Sequence, residues 1–363
     1  MKRESMPSVS DTGTADTATA AVPPDTALSA GDGAAGAARR RRFELQRYRD
    51  LSLVPVLLVL GVIGFIVSPA FLTTTNLVNV AQQSTELSLL VLAEALILIC
   101  GRMDLSLEST IGVAPVVAVW LVLPTSGGRF NGLGLFPGWA AIPLCLLVGA
   151  VIGGFNGFLI LKLRLNGFIV TLGGLTMLRG LQVALSQGQS IVNVPSSFTY
   201  LGSASWFGAP AAVWICVLLF AVGGCALAWL RHGRALYAIG GNPEAARTAG
   251  IRVDRITWIV LILGGTLAAF AGILYTGHYG SISADQGSGW IFQVFAATVI
   301  GGVSLNGGRG TLFGALTGVL TLQLVVNVMT LAGVPPLWNQ CLNGAIIIIA
   351  LIISRFTSGE RQE

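Results

Sequence analysis

The sequence predicts an all-α integral membrane protein of about ten transmembrane helices, some short or broken, with both termini in the cytoplasm. Three observations predict it. Of 363 residues, 53% are hydrophobic and only 10% are charged, whereas a soluble domain carries about 25% charged residues. Long stretches hold no charge at all, as segments in a bilayer must. The basic residues that remain gather in short segments between apolar runs and fall almost wholly on one side when the crossings are counted.

Residues 1–50 differ from the rest. The stretch to Ala38 is Ala, Thr, Ser, Asp, Gly and Pro, which cannot bury enough surface to fold, so a disordered tail is expected. Arg39, Arg40, Arg41 and Arg42, with Arg47 and Arg49, make it basic and suit it to anionic lipid headgroups on the cytoplasmic side. The first apolar run begins too far from the N-terminus for a secretory signal. A membrane domain then covers 51–355, and 356–363 is a second cytoplasmic tail.

A helix needs about 20 residues to cross the hydrocarbon core. Candidate spans lie near 51–71, 84–101, 103–123, 139–161, 165–186, 211–230, 256–279, 290–304, 309–333 and 336–354. The fifth and eighth are short or rich in Gly and polar residues, and such segments can be broken or re-entrant where protein surrounds them. With the N-terminus inside, the inner side receives Arg102, Lys162, Arg164, Arg231, Arg234, Arg247, Arg252, Arg255, Arg309, Arg355 and Arg361, and the outer loops only Arg129. Shifting the count by one span would put the arginines of 231–255 outside, against the positive-inside rule.

A net charge of +5 is therefore topological and implies no nucleic-acid partner. Cys100, Cys145, Cys216, Cys225 and Cys341 sit in or beside apolar runs and read as small packing residues without a disulfide framework. His232 and His278 stand in different loops, and no cluster suggests a metal site. Glycines recur about every four residues (Gly149, Gly153 and Gly157; Gly310, Gly314 and Gly318), which puts small residues on one helix face for close packing.

Polar residues interrupt this background. In Gly101–Glu108 three charges break two apolar runs, and a charge at the bilayer centre costs about 2.5–3.5 kcal/mol. Asp104 fits either the positive end of the following helix or a pathway. Glu86 and Glu94, eight residues apart, share roughly one helix face about 12 Å from each other, with Gln82 and Gln83 before them. Glu94 suits a path for a hydroxyl-rich ligand, or else pairs with Arg179 or Arg102. Arg179 must snorkel, find a carboxylate or face water. Gln82, Glu94, Asp104, Ser106, Asn156, Phe168, Thr171 and Arg179 are the candidate residues of a translocation pathway or gate.

The longest inner loop, 231–255, contains the grammar of a short helix from Gly240 to Ile251. Asn242 caps it, Pro243 takes the first position, Glu244 suits the positive end and Gly250 stops it. Its apolar surface is mostly alanine, too small for a helix lying on lipid, which points to docking on a protein. The chain lacks a GxxxxGK[ST] loop and any Ser/His/Asp or Cys/His constellation, so it is not expected to be an enzyme.

Four blocks carry a resemblance: GRMDLSLES from Gly101, GGFNGFLILKLRLNGFIVTLGGLTMLRG from Gly153, GRALYAIGGNPEAARTAGI from Gly233 and AATVIGGVSLNGGRGTLFGALTG from Ala296. In that order they resemble the permease subunits of bacterial ribose- and xylose-type ABC importers, in the superfamily shared with branched-chain amino-acid permeases. Arg102 and Glu108 stand where that pattern usually has glycines, Gly167 where it has a proline, and Gln293 where an acidic residue is common; these bear on which sugar is carried more than on transport itself. The resemblance implies a permease for a monosaccharide or small polyol in the bacterial inner membrane. It implies a homodimeric or pseudo-dimeric core with a second permease copy, and a periplasmic or lipid-anchored sugar-binding protein. ATP and Mg would be bound by a separate cytoplasmic ABC ATPase, with no cofactor on this chain. Gly240, Gly241, Asn242, Glu244, Ala245, Ala246, Arg247, Gly250 and Ile251 would form the helix that docks into that ATPase. An ion-coupled secondary transporter, using Asp104, Glu86 and Glu94 as ion sites, and a passive channel are the competing readings.

Overall fold

The computed structural model describes residues 53–124 and 130–335, together with Trp338, Cys341, Gly344, Ala345 and Ile348. The N-terminal tail, Arg129, most of the expected last span and the C-terminal tail lie outside the described residues.

In chain order the helices are α1 (Val54–Val67), α2 (Thr74–Ile99), α3 (Leu107–Val122), α4 (Ala141–Gly157), α5 (Gly167–Ser186), α6 (Ser196–Ser203), α7 (Ala211–Trp229), α8 (Arg231–Gly241), α9 (Pro243–Thr248), α10 (Val253–Tyr279), α11 (Trp290–Ile300) and α12 (Leu312–Leu331). A 3-10 turn, Gly138–Ala140, and a π-turn, Phe158–Lys162, extend α4 at its two ends. Among the described residues six helices are long and apolar enough to cross a bilayer, and α1, α3 and α11 are shorter apolar helices. Nine of the ten expected spans thus have a helix among the described residues, and most of the tenth lies outside them; α3 and α11 begin beside buried polar groups and not at a surface. The fold also departs from purely helical: Ser205–Trp206 pairs antiparallel with Ala209–Pro210, and Ile191 bridges to Ile282. His232 and His278, expected in loops, lie in α8 and in the last turn of α10.

Local chemistry starts the helices where the sequence supplies acceptors. Thr73 accepts from the Asn76 amide, Asn166 from Ile169 and Thr311 from Gly314, each satisfying an N-terminal donor that helix geometry leaves open. α5 ends at Gln187 in the left-handed region, φ 53°.

α2 is the central element, with 83% of its most apolar window buried inside the chain, and α5 is peripheral at 17%. α10 packs on α2, α3, α4 and α6. Its contact with α4 is backbone on backbone: a Cβ at Gly149 or Gly153 would strike the carbonyl of Gly265 or Leu261. In the same way Gly314 and Gly318 let α12 close on Gly301 and Ala297 at the end of α11. Apolar side chains gain nothing by leaving lipid for protein, so close approach and the dispersion it brings must hold these helices together.

Chain direction sorts the two ends of the bundle. Arg102, Lys162, Arg231, Arg234, Arg252, Arg255 and Arg309 fall in the segments at one end, where Ile99, Gly240 and Gly308 meet. At the other, Asn76 and Asn327 exchange side-chain hydrogen bonds of 3.1 and 2.8 Å, and Gln82 donates to the Gly202 carbonyl at 3.0 Å.

Candidate functional site

Three arrangements stand out, two buried and one exposed. The first is centred on Asp104. After α2 ends at Ile99, the chain turns back on itself, and the Asp104 amide approaches Glu94 Oε1 at 3.5 Å. Glu94 lies five residues before the end of α2, so the loop re-enters the bundle by about 7 Å. Asp104 Oδ1 accepts from the Ser106 amide at 2.9 Å and from Ser106 Oγ at 2.6 Å. Asn156 Nδ2, from α4, donates to Asp104 Oδ2 at 3.2 Å and to Ser106 Oγ at 2.8 Å. Gly174 of α5 closes over Ser106, where a Cβ would stand 3.3 Å from the serine's own. Glu94, Asp104 and Ser106 are fully buried, and Glu94 Oε2 has no hydrogen-bond partner. Two carboxylates, a hydroxyl and an amide thus converge inside the bundle, on residues four helical elements contribute or cover.

The second arrangement organises α11. Glu108 Oε1 and Oε2 accept from the amides of Gly289 and Ile291, each at 3.0 Å, and so cap the N-terminus of that short helix. Arg179 Nη2 lies 3.4 Å from Glu108 Oε1, with side-chain exposures of 20% and 7%. Arg179 Nη1 also donates to the Gln286 carbonyl at 3.0 Å and to Gln182 Oε1 at 3.1 Å. Pro115 inside α3 has no amide hydrogen, which frees the carbonyl of Ile111, four residues earlier. Gln286 Nε2 donates into that carbonyl at 2.8 Å. Non-helical backbone at membrane depth is tolerated where protein satisfies its polar groups, and this network does so for the turn before α11. Gly287, φ 85°, is required there: a side chain would run into Glu108 and Ile111.

The third arrangement is the polar segment after α8. The short helix expected within Gly240–Ile251 is present, with Asn242 as its cap and Pro243 in its first position. Gly240 and Gly241 end α8, Asn242 turns the chain, and α9 runs from Pro243 to Thr248. Asn242 Oδ1 accepts from both the Glu244 and Ala245 amides at 3.0 Å. Gly250 follows with φ 81°. Of α9 only Ala246 is buried; Glu244, Ala245, Arg247 and Thr248 face out. Arg247 pairs with Asp254 at 2.8 Å on the surface. A cleft of about 640 Å³ flanks this helix, lined by Lys162, Arg247, Arg252 and Arg255 with Asp254 as its carboxylate. Behind α9, the end of α8 is locked to the rest of the bundle. A Cβ at Gly240 would collide with the Ile99 carbonyl and the Gly308 amide, which are themselves bonded at 2.9 Å.

The eight candidate pathway residues therefore divide. Glu94, Asp104, Ser106 and Asn156 come together. Arg179 belongs to the second network, and its carboxylate is Glu108, not Glu94. Gln82, in α2, sits near the far end of the bundle against Gly202 of α6. Thr171 is buried but turns its hydroxyl back to the Gly167 carbonyl at 2.9 Å. Phe168 is 51% exposed. Glu86, read beside Glu94, instead meets His278 Nδ1 at 2.7 Å. Sequence reasoning passed over Glu108, Gln182 and Gln286 as site residues; the signal for Gln286 was Pro115, whose freed carbonyl calls for a donor.

A bundle of apolar helices, two of them starting inside it, around a buried polar cluster is the architecture of a multi-pass membrane protein. Residues 76–351 match the family described as the branched-chain amino acid transport system permease component, and the chain belongs to that family. It is 31% identical over 306 residues to the ribose import permease protein RbsC of Escherichia coli (strain K12), covering 83% of this chain and 92% of that protein. It is 33% identical over 309 residues to the autoinducer 2 import system permease protein LsrC of Klebsiella pneumoniae subsp. pneumoniae, covering 85% and 87%. It is 31% identical over 342 residues to the L-arabinose ABC transporter permease protein AraH of Azospirillum brasilense, covering 94% and 98%.

Proposed function

We propose that this chain is the permease subunit of an ATP-binding cassette importer that carries a monosaccharide or related small polyol across the bacterial inner membrane. Membership of the permease family, with relatives named for ribose, arabinose and autoinducer 2, supports the transport class and the substrate class. ATP and Mg are bound by a separate cytoplasmic ATPase, and a sugar-binding protein delivers substrate from the other side. A second permease copy completes the membrane core.

The observation that carries the coupling role is α9. It is short, capped, exposed on nearly every residue and held by Ala246. A helix so placed presents Glu244, Ala245, Arg247 and Thr248 to a partner, beside a cleft whose cations suit acidic side chains. The buried cluster of Glu94, Asp104, Ser106 and Asn156 supplies acceptors and donors that a hydroxyl-rich substrate needs on its way between the ends.

The test uses Ala245→Trp, because Ala246 faces the chain's own core and its replacement would disturb folding. In proteoliposomes containing the permease, its ATPase and its binding protein, uptake of labelled ribose, arabinose or galactose is expected to require ATP. Ala245→Trp is expected to insert normally, retain less ATPase on affinity purification and lose at least about tenfold in uptake, since bulk at a packed small-residue contact is not absorbed. Sugar accumulation by the lone chain under an imposed ion gradient would replace this reading with secondary transport.

A further inference from the structure

The end of the bundle away from the basic segments holds a cluster that neither buried network uses. α10 runs 27 residues from Val253, about 40 Å, and finishes there with Tyr275, His278 and Tyr279. Gly280, φ 68°, turns the chain away directly after Tyr279. Trp290 opens α11, and Glu108 holds the amides on either side of it.

The rings touch. Between centroids, Tyr275 lies 4.5 Å from Tyr279 and 5.5 Å from Trp290, and His278 lies 4.5 Å from Tyr279. They form one continuous surface, on which Tyr279 is 53% exposed. Rings in direct contact leave no box between them for an organic cation. Polar atoms without partners edge this surface. Glu86 of α2 gives Oε1 to His278 Nδ1 at 2.7 Å, while its Oε2 has no hydrogen bond among the described residues. The hydroxyls of Tyr275 and Tyr279 have none there either, and Glu86 lies within electrostatic reach of both. His278 and Arg179 are already engaged by Glu86 and Glu108, which leaves an anion no counter-charge among the described ion pairs.

We propose that Tyr275, Tyr279 and Trp290, with Glu86 beside them, form a binding platform for a neutral sugar ring entering the bundle. The C–H bonds on one face of a sugar carry slight positive charge and meet the negative faces of aromatic rings. Its hydroxyls need acceptors and donors at the edge, which Glu86 Oε2 and the two phenols supply. Eight residues further along α2, about 12 Å, stands Glu94 of the buried cluster, so one helix carries both stations. The inference rests on the importer reading and adds the place where substrate first meets this chain.

The experiment is saturation-transfer difference NMR of the full chain in detergent, with D-ribose, L-arabinose and D-galactose as probes. Saturating the aromatic protons is expected to transfer to the C–H protons of at least one sugar. Tyr279→Leu is expected to abolish that transfer. Glu86→Gln, which keeps the shape but loses the charge, is expected to weaken binding about tenfold, the usual worth of a hydrogen bond to a charged group. Phe207→Leu, at an aromatic away from the platform that is 97% exposed, is expected to change nothing. Unchanged transfer in Tyr279→Leu and Glu86→Gln, or an equal loss in Phe207→Leu, would overturn the platform. ATP-driven uptake by the wild-type importer is measured in parallel. Normal uptake without any transfer to sugar refutes the platform alone, and absent uptake refutes the importer.

Discussion

A buried charge in this chain is stable only because several groups answer it. Glu108 accepts two backbone amides and faces one guanidinium, and Arg179 in turn reaches a carbonyl and an amide oxygen. Removing one member strands the other in a site of low polarity, at a cost of about 3–5 kcal/mol. Glu108→Ala and Arg179→Ala are each expected to lower unfolding free energy in detergent by about 3 kcal/mol. The double variant should lose clearly less than the sum, since the partners belong to one network. Additive losses in a denaturation series would show that the pair is not coupled. Arg179 alone was legible as a residue in need of a partner. Its choice of Glu108 over Glu94 was not, because the two carboxylates lie 14 residues apart on different helices and only packing decides which faces α5.

At the scale of elements, glycines set how closely segments approach. The end of α8 touches the backbone at Ile99 and Gly308, so Gly240 admits no Cβ, while Gly241 next to it meets nothing within 4 Å. Gly240→Ala is expected to destabilise by about 1–3 kcal/mol through overpacking. Gly241→Ala should be neutral or stabilising by up to about 1 kcal/mol through helix propensity. Thermal unfolding of the two variants side by side checks this, and equal midpoints would refute the contact. The loop after Gly101 leads straight to Asp104, and the turn after Gly241 leads straight to α9. Gly101 and Gly240 thus meet at one joint, between the loop that leads to the buried cluster and the turn that leads to the exposed helix. The cap at Asn242 and the stop at Gly250 could be read from residue types alone, since both depend on neighbours in sequence. The orientation of Ala246 into the core could not, since a six-residue helix of small residues has no amphipathic stripe to read.

Over the whole molecule, charge asymmetry gives an orientation. Arginines and lysines collect at the end shared by α8, α9 and the start of α10, and the segment 187–210 at the opposite end carries no charge. By the positive-inside rule we expect the basic end in the cytoplasm. Single cysteines at Asn131 and Ser197 in a cysteine-free background are expected to react with an impermeant maleimide from outside. One at Arg247 should react only after permeabilisation. Labelling of Ser197 from the cytoplasm alone would invert this orientation.

The sequence by itself determined the membrane class, the approximate place of nine helices, the caps of α9 and the family, through four ordered blocks. The first three are properties of composition, periodicity and local hydrogen bonding, which act within about a dozen residues; the family rested on the resemblance of those blocks. Tertiary structure alone decided where polar residues meet: Asp104 with Glu94 and Asn156, Glu108 with Arg179, and Gln286 with the carbonyl that Pro115 frees. It also decided that α3 and α11 start inside the bundle. The physical reason is that in an apolar medium a buried donor or acceptor left without a partner is costly, so nearly all of them find one. Which partner it finds depends on helix packing and rotation, and no local pattern in the chain encodes these.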